Sequence, residues 1–544
     1  MYAEIRPLSS LEKLFMDESP LSPAPQTQGF QNEIMSWQLA MILRDATRSR
    51  YVRAEVSGEL AKYITVYQVR HVPVHMAVYE DADENYLRKT PGLYPDLLSP
   101  LRPHSLRIYA SRWTCLWLSF DPRGEVQPGS YPVTVRLETE DGEALGEHTH
   151  TVEVLEGCLP EQELIHTKWF HADCLAQHYG AETFSEEHWR LIERQVRCAV
   201  EGGVNMILMP IHTLPLDTRE GGERPTTQLV KITVEDGRYQ FDMTLVRRWI
   251  RMCRSAGVQY YEMAHLFTQW GAKHAPKIVA TVDGEEKRIF GWETDTSGEA
   301  YGAFLRAYIP ALRELFREEG IEEKVWWHIS DEPSREQLPS YLAAKRQTDE
   351  LLKGAKVMDA LSDFEFYQQG AVACPVVASN HIQPFLDADI PGLWTYYCCG
   401  QYKDVSNTFI AMPSARTRVL GMQLFRFRIA GFLQWGFNFY YSQYSDYPID
   451  PYAVTDGDGF VPSGDPFQVY PGSDGEIEPS IRYMTFREAM QDLRALNCLA
   501  DLIGFEKTNA LLGDMTLERY PASAEALLSL RREINRLIVE ARHA

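Results

Sequence analysis

From about residue 160 onward, strand-like apolar runs alternate with amphipathic helical stretches, and eight such runs occur before the chain turns wholly helical. They span residues 167–172, 204–210, 258–265, 325–330, 357–362, 376–379, 393–398 and 432–439. Alternation of this kind demands parallel strands joined by right-handed crossovers, and eight is the number that closes a (β/α)8 TIM barrel. Helices are expected over 186–201 behind Ser185, then over 243–256, 298–319, 335–353 and 415–430. Helix is also expected from Ser480 onward, ending in a packing helix over 522–543 with a charged outer face. In such a barrel the site lies at the carboxyl ends of the strands. The long connections 211–241, 266–295 and 440–478 are therefore expected to be its lids or binding loops.

The segment before the barrel reads differently. Candidate strands at 33–42, 52–56, 64–69, 105–110, 114–120, 131–137 and 148–154 are separated by turn clusters such as Asp121-Pro-Arg-Gly124 and Glu140-Asp-Gly142. A β-sandwich is the simplest reading. The expected architecture is multidomain: a β-sandwich over 1–157, the barrel over 158–505 and a helical extension over 506–544. His71 with His75, and His148 with His150, have spacings that could ligate a metal. No third ligand is near either pair, so packing or surface roles are expected and no metal.

Composition narrows the partners. The formal net charge of -22 opposes binding to a nucleic acid backbone or an anionic membrane surface. The first residues lack a secretory pattern, and no segment offers the roughly 18 uninterrupted apolar residues of a membrane span. Nine cysteines without a Cys-x-x-Cys fit a reducing compartment, so a cytoplasmic protein is expected. There is no Gly-x-Ser-x-Gly elbow, no His-Glu-x-x-His and no dinucleotide fingerprint, which removes support for serine hydrolase, zincin and Rossmann chemistry and leaves no cofactor to expect. Oligomeric state is not legible.

The chemistry is expected in Val325-Trp-Trp-His-Ile-Ser-Asp-Glu-Pro333, where an apolar strand empties into two adjacent carboxylates. Close carboxylates repel when both are ionised, so one pKa rises and a proton stays available near neutral pH. That describes the Asp331 and Glu332 pair as a general acid with a charged neighbour, with either residue open to either role. A competing reading places both at the start of the next helix, which Ser334-Arg-Glu-Gln337 could cap. Aromatic residues Trp270, Trp292, Trp394, Tyr396, Tyr397, Trp435, Tyr440 and Tyr441 gather at the same expected rim. Asn438, Gln434, His265 and His171 could there bond hydroxyls. Flat rings and a few polar groups furnish a sugar pocket, although barrel interiors also use bulky residues. Of the aromatics, Trp394 and Trp435 are favoured because each is expected in the second half of its strand. Asp173, Glu262, Asp359, Asp363 and Glu293 are further carboxylates, any of which could act as the second acid of a conventional pair.

The chain resembles the glycoside hydrolase family 123 catalytic domain. The resemblance rests on Ile329-Ser-Asp-Glu-Pro333, Lys168-Trp-Phe-His-Ala-Asp-Cys174 and Gly431-Phe-Leu-Gln-Trp-Gly-Phe-Asn438. Further matches are Ser463-Gly-Asp465, Tyr470-Pro-Gly472 and Ser480-Ile-Arg482. It covers about residues 160–500, and the β-rich segment before it is similar to that family's N-terminal sandwich. The resemblance implies an exo-acting, retaining N-acetyl-β-galactosaminidase with substrate-assisted catalysis. Glu332 would be the general acid/base, and Asp331 would orient the substrate's 2-acetamido group. Enzymes of that kind need no protein nucleophile. Two other readings stay open: a conventional double-displacement glycosidase pairing Glu332 with Glu262 or Asp363, and a catalytically silent carbohydrate-binding relative.

Overall fold

The computed structural model describes residues 1–20 and 26–543. Eight parallel strands form a closed barrel: Ile165–Lys168, Met206–Met209, Tyr260–Met263, Val325–Trp327, Lys356–Leu361, Cys374–Ala378, Trp394–Tyr397 and Gly431–Gln434. They follow sequence order, and the eighth pairs back on the first. Each of the eight expected runs supplies one strand. Most of the runs extend beyond their strands at the carboxyl end, because apolar and aromatic residues continue past the last ladder bond. The fourth strand, for example, ends at Trp327, before His328-Ile-Ser330 and the acid pair. The eighth begins at Gly431 for a packing reason: a Cβ there would sit 2.0 Å from the Trp394 ring.

The helices depart from expectation in several places, and the helical stretch from Ser480 onward is interrupted between Phe505–Ala510 and Ala524–His543. The stretch 335–353 is a 3-10 turn, Arg335–Gln337, followed by Leu338–Thr348. The stretch 415–430 divides into Ser414–Arg418 and Leu420–Arg426. The long loops after the second and third strands are also more ordered than expected. They build a four-stranded sheet in the order Arg238–Asp242, Lys231–Glu235, Ile278–Val282, Glu285–Phe290. Its two hairpins turn at Asp236-Gly237 and Asp283-Gly284, all four with positive φ, as a tight primed turn requires.

The N-terminal segment folds into two five-stranded sheets. One runs Tyr2–Ser9, Met35–Arg44, Thr114–Phe120, Ile64–Val74, Gly92–Pro100, and the other Thr27–Phe30, Ala144–Leu155, Gly129–Thr139, Arg50–Ser57, Arg107–Ile108. Trp37, Leu116 and Leu118 of the first sheet share one cluster with Val133, Val135 and Val152 of the second. The reverse face of the first sheet, including Ile42, Val69 and Trp117, joins the core of the barrel. Tyr2–Ser9 and Gly92–Pro100 were not expected as strands. They carry Pro7 and Pro95 and lie at the two edges of their sheet, where a missing N–H breaks no ladder.

Buried ion pairs fasten these layers. Asp96, on the edge strand Gly92–Pro100, pairs with Arg482 of the helix Ile481–Ile503 at 2.9 Å, with both side chains fully buried. Arg482 also donates to the carbonyls of Gly464 (2.6 Å) and Phe467 (2.8 Å), and the Tyr470 hydroxyl donates to Asp96 (2.7 Å). Ser480 caps that helix by accepting from the Tyr483 N–H. The Ser-Gly-Asp, Tyr-Pro-Gly and Ser-Ile-Arg motifs are thus parts of one joint. Arg531 of the last helix, Ala524–His543, bridges Glu33 and Asp492. His71 bonds the Leu14 carbonyl, while His150 bonds Thr27 and stacks on Trp37. Among the described residues, no helix is long and apolar enough to cross a membrane.

Candidate active site

A cavity with an empty volume of about 640 Å³, including its open mouth, lies at the carboxyl end of the barrel. Asp331 and Glu332 both line it. The path to them is pinned at each step. Asp359 accepts from the N–H groups of Ile329 (2.9 Å) and Ser330 (3.3 Å), and the Ser330 hydroxyl donates to the Thr268 carbonyl (2.8 Å). Glu332 then turns into the left-handed region (φ 43°) and donates its N–H to the Ala360 carbonyl at 3.1 Å. That conformation costs on the order of 1 kcal/mol for a residue with a Cβ, and such strain gathers at functional sites. The Ser334 N–H donates to the Gln337 side chain at 2.9 Å, so the helix begins beyond the pair. Asp331 and Glu332 are not residues of its first turn.

The pair is electrostatically unusual. Burial, reinforced by the charge of Glu332, pushes Asp331 up to about 8, against a donated bond from the Gln269 amide at 2.7 Å. Burial also raises Glu332, and the Tyr396 hydroxyl bonded to its Oε1 offsets part of that rise. Two raised neighbouring acids titrate as a unit that keeps one proton near neutral pH. Behind them, within the barrel, His328 lies between Glu262 (2.6 Å) and Asp359 (3.3 Å). Burial disfavours the His328 charge, but bonds to Asp359 and Glu262 overcome it and raise the imidazole to about 10.

Of the expected ligand contacts, Tyr396, Trp435, His171 and Trp270 line the cavity. Trp435 is held by its indole N–H on Asp465 at 2.8 Å. His171 is kept neutral, lowered to about 3 by burial and then by Arg224. Arg224 donates to its Nδ1, so Nε2–H faces the Trp435 carbonyl. Four expectations are corrected. Trp394 begins its strand rather than ending it and packs on Trp326 and Gly431, away from the cavity. Trp292 donates to the Gly222 carbonyl and packs on His274. His265 is fully buried and stacked on His328 at 4.2 Å. Asn438 spends its amide on the backbone of His171, accepting at 2.8 Å and donating at 3.2 Å.

The conventional second acids are committed elsewhere. Glu262 is fully buried and accepts from Thr167, Trp169 and His328. Asp363 pairs with Arg335 and caps Phe364–Gln368. The cavity also contains side chains not expected from sequence: Trp169, Asp217, Gln269, Cys398, Cys399, Phe439 and Phe460. Burial pushes Asp217 up to about 6, against the nearby charge of Arg224. Asp217 lies in the long loop after the second strand and Gln269 in the one after the third. The missing signal was that these two loops meet.

The family model for the glycoside hydrolase 123 catalytic domain matches residues 169–499. The chain belongs to glycoside hydrolase family 123. It is accordingly a glycoside hydrolase, and its substrate is a carbohydrate. A solved family 123 glycoside hydrolase from Clostridium perfringens aligns over 100% of this chain and 99% of its own, with a TM-score of 0.74 and 14% identity. That similarity extends the shared fold to the N-terminal sheets and the last helix. A β-glucuronidase from Parabacteroides merdae aligns over 89% of this chain and 52% of its own at 10% identity, with a TM-score of 0.31. No curated protein matches the sequence.

Proposed function

We propose that this family 123 hydrolase is an exo-acting, retaining N-acetyl-β-hexosaminidase of the galactosamine type, in which the substrate's 2-acetamido group is the nucleophile. The observation that carries the reading is that two consecutive carboxylates face one cavity, where burial raises both, while Glu262 and Asp363 are bonded elsewhere. Glu332 gives its proton to the glycosidic oxygen. Asp331 accepts the acetamido N–H and steadies the positive charge that develops as the acetamido oxygen attacks the anomeric carbon. The C–O bond to the leaving group breaks and an oxazolinium ring forms. Water, deprotonated by Glu332, then opens that ring from the original face, and two inversions give net retention.

Trp435 and Trp270 offer rings for the apolar face of the sugar. The Clostridium perfringens enzyme is described in terms of glycolipid glycan hydrolysis, and a terminal amino sugar of such a glycan is the substrate class we infer. The test offers aryl β-glycosides of N-acetylgalactosamine, N-acetylglucosamine and galactose to the wild type, Asp331→Asn and Glu332→Gln. Turnover confined to acetamido sugars, lost in both variants and blocked by a thiazoline mimic of the cyclised intermediate, is expected. Efficient cleavage of the plain galactoside would sink substrate assistance. Sugar binding with no turnover of any glycoside would favour a silent relative.

A further inference from the structure

Near neutral pH the acid pair holds one proton, and the function proposed above needs that proton on Glu332 and a negative charge on Asp331. The hydrogen-bond partners of the two acids are not equivalent. Glu332 meets the Tyr396 hydroxyl, which can donate to a carboxylate or accept from a carboxylic acid. Asp331 meets the Gln269 amide, whose Nε2 lies 2.7 Å from Oδ2. An amide can turn over and present its oxygen instead, so its orientation must be fixed by something else. Here it is fixed by the backbone N–H of Asp217, which donates to Gln269 Oε1. A peptide N–H can only donate, so the oxygen of Gln269 must face Asp217 and its NH2 must face Asp331.

Asp217 is itself held. Its Oδ2 accepts from the Tyr444 N–H at 3.1 Å and its carbonyl accepts from the Ser445 hydroxyl at 2.6 Å. Tyr444 packs edge-on to Trp270, with ring centroids 6.2 Å apart, and the Trp270 N–H returns to the Asp331 carbonyl at 3.1 Å. The contacts thus close a ring through the loops after the second, third, fourth and eighth strands. Asp217, Trp270 and Tyr444 all adopt positive φ within it, backbone strain that persists only where surrounding contacts over-determine it.

We propose that Gln269 is a positioning residue that decides which acid keeps the shared proton: its amide holds Asp331 as an acceptor, so the proton resides on Glu332. This rests on the division of labour in the proposed function and adds the group that enforces it. Of the charged and titratable groups around Asp331, His328 acts in the same sense as Gln269, but to a lesser degree. Glu332 adjoins it, His328 and Asp359 lie behind it, Asp217 lies across Gln269, and Asp465 and Tyr396 face Glu332. The negative groups disfavour charge on either acid, and the His328 charge, partly offset by Glu262 and Asp359, favours the ionised form of Asp331 less than the Gln269 bond does.

The test is the pH profile of Gln269→Ala on the best aryl glycoside of the wild type. A lost charge-assisted bond predicts a fall in kcat of about 10- to 100-fold with KM changed less than about threefold. It also predicts that the acid limb of kcat/KM, where Asp331 takes up a second proton, moves to higher pH by about one unit. Gln269→Glu, which replaces the donor with a like charge, should move that limb further in the same direction. An unmoved acid limb overturns the proposal whether or not kcat falls, because a merely structural role would lower the rate without shifting the limb. Gln269→Asn serves if the alanine variant does not fold. Failure of the underlying reading would instead be seen in the wild type alone, as turnover of sugars lacking the acetamido group.

Discussion

Replacing Asp331 by Asn should make the protein more stable as well as less active, and the gain should grow with pH. Asp331 is displaced upward from 3.8 to about 8 by burial and then by its neighbour Glu332. That displacement belongs to the coupled pair: the native state keeps one proton, on Glu332, that the unfolded chain releases across that window, so stability falls as pH rises from about 4 to 8. At about 1.36 kcal/mol per pH unit the displacement sets a ceiling of about 5–6 kcal/mol. Part of it is repulsion shared with Glu332, and the open mouth of the cavity admits water, so about 2 kcal/mol at pH 8 is the expected gain. Asparagine does not titrate, and its carbonyl oxygen can still accept from Gln269. Urea unfolding of the wild type and Asp331→Asn at pH 4.5, 6 and 8 measures the gap. It should be near zero at pH 4.5 and largest at pH 8. A variant no more stable than the wild type at pH 8, or a gap independent of pH, would refute the account of a strained, buried acid pair.

Other perturbations test the scaffold and the cavity wall. Gly431→Ala places a Cβ 2.0 Å from the Trp394 ring and should cost about 3 kcal/mol or more, read as lost soluble expression, with partial recovery on adding Trp394→Leu. Asp96→Ala leaves Arg482 charged and buried, and a loss of about 3–5 kcal/mol is expected in thermal or urea unfolding. Trp435→Ala should raise KM for the amino sugar at least about tenfold with a smaller effect on kcat, since it removes a stacking surface rather than the acid.

The barrel was legible because parallel strands buried on both faces leave unbroken apolar runs, such as Met206–Met209, separated by helical periodicity. Strand ends were less legible. Trp169, Trp435 and Phe439 continue the apolar pattern but line or border the cavity beyond the last ladder bond. Trp394 misled for the converse reason, since an aromatic at the start of a strand looks the same in sequence as one at its mouth. The sheet formed by the two long loops had a readable sign in Asp236-Gly237 and Asp283-Gly284, each preceded by a β-branched pair, Thr233-Val234 and Thr281-Val282. Gln269 and Asp217 could not be paired from sequence, because their contact joins residues 52 positions apart through a backbone N–H. The acid pair was readable as a type and a position. Its raised titration depends on burial, which the Tyr396 and Gln269 contacts partly offset, and only the folded chain supplies either.

The central claim is that the substrate's own acetamido oxygen attacks the anomeric carbon, and a series of aryl glycosides bearing acetyl, fluoroacetyl, difluoroacetyl and trifluoroacetyl groups on the 2-nitrogen measures this most directly. Each fluorine weakens the carbonyl oxygen as a nucleophile while leaving the leaving group unchanged. Participation predicts that kcat/KM declines steeply along the series, with the trifluoroacetyl substrate nearly inert. A flat dependence, with the trifluoroacetyl substrate cleaved about as fast as the acetyl one, would contradict it and return the nucleophile to the protein.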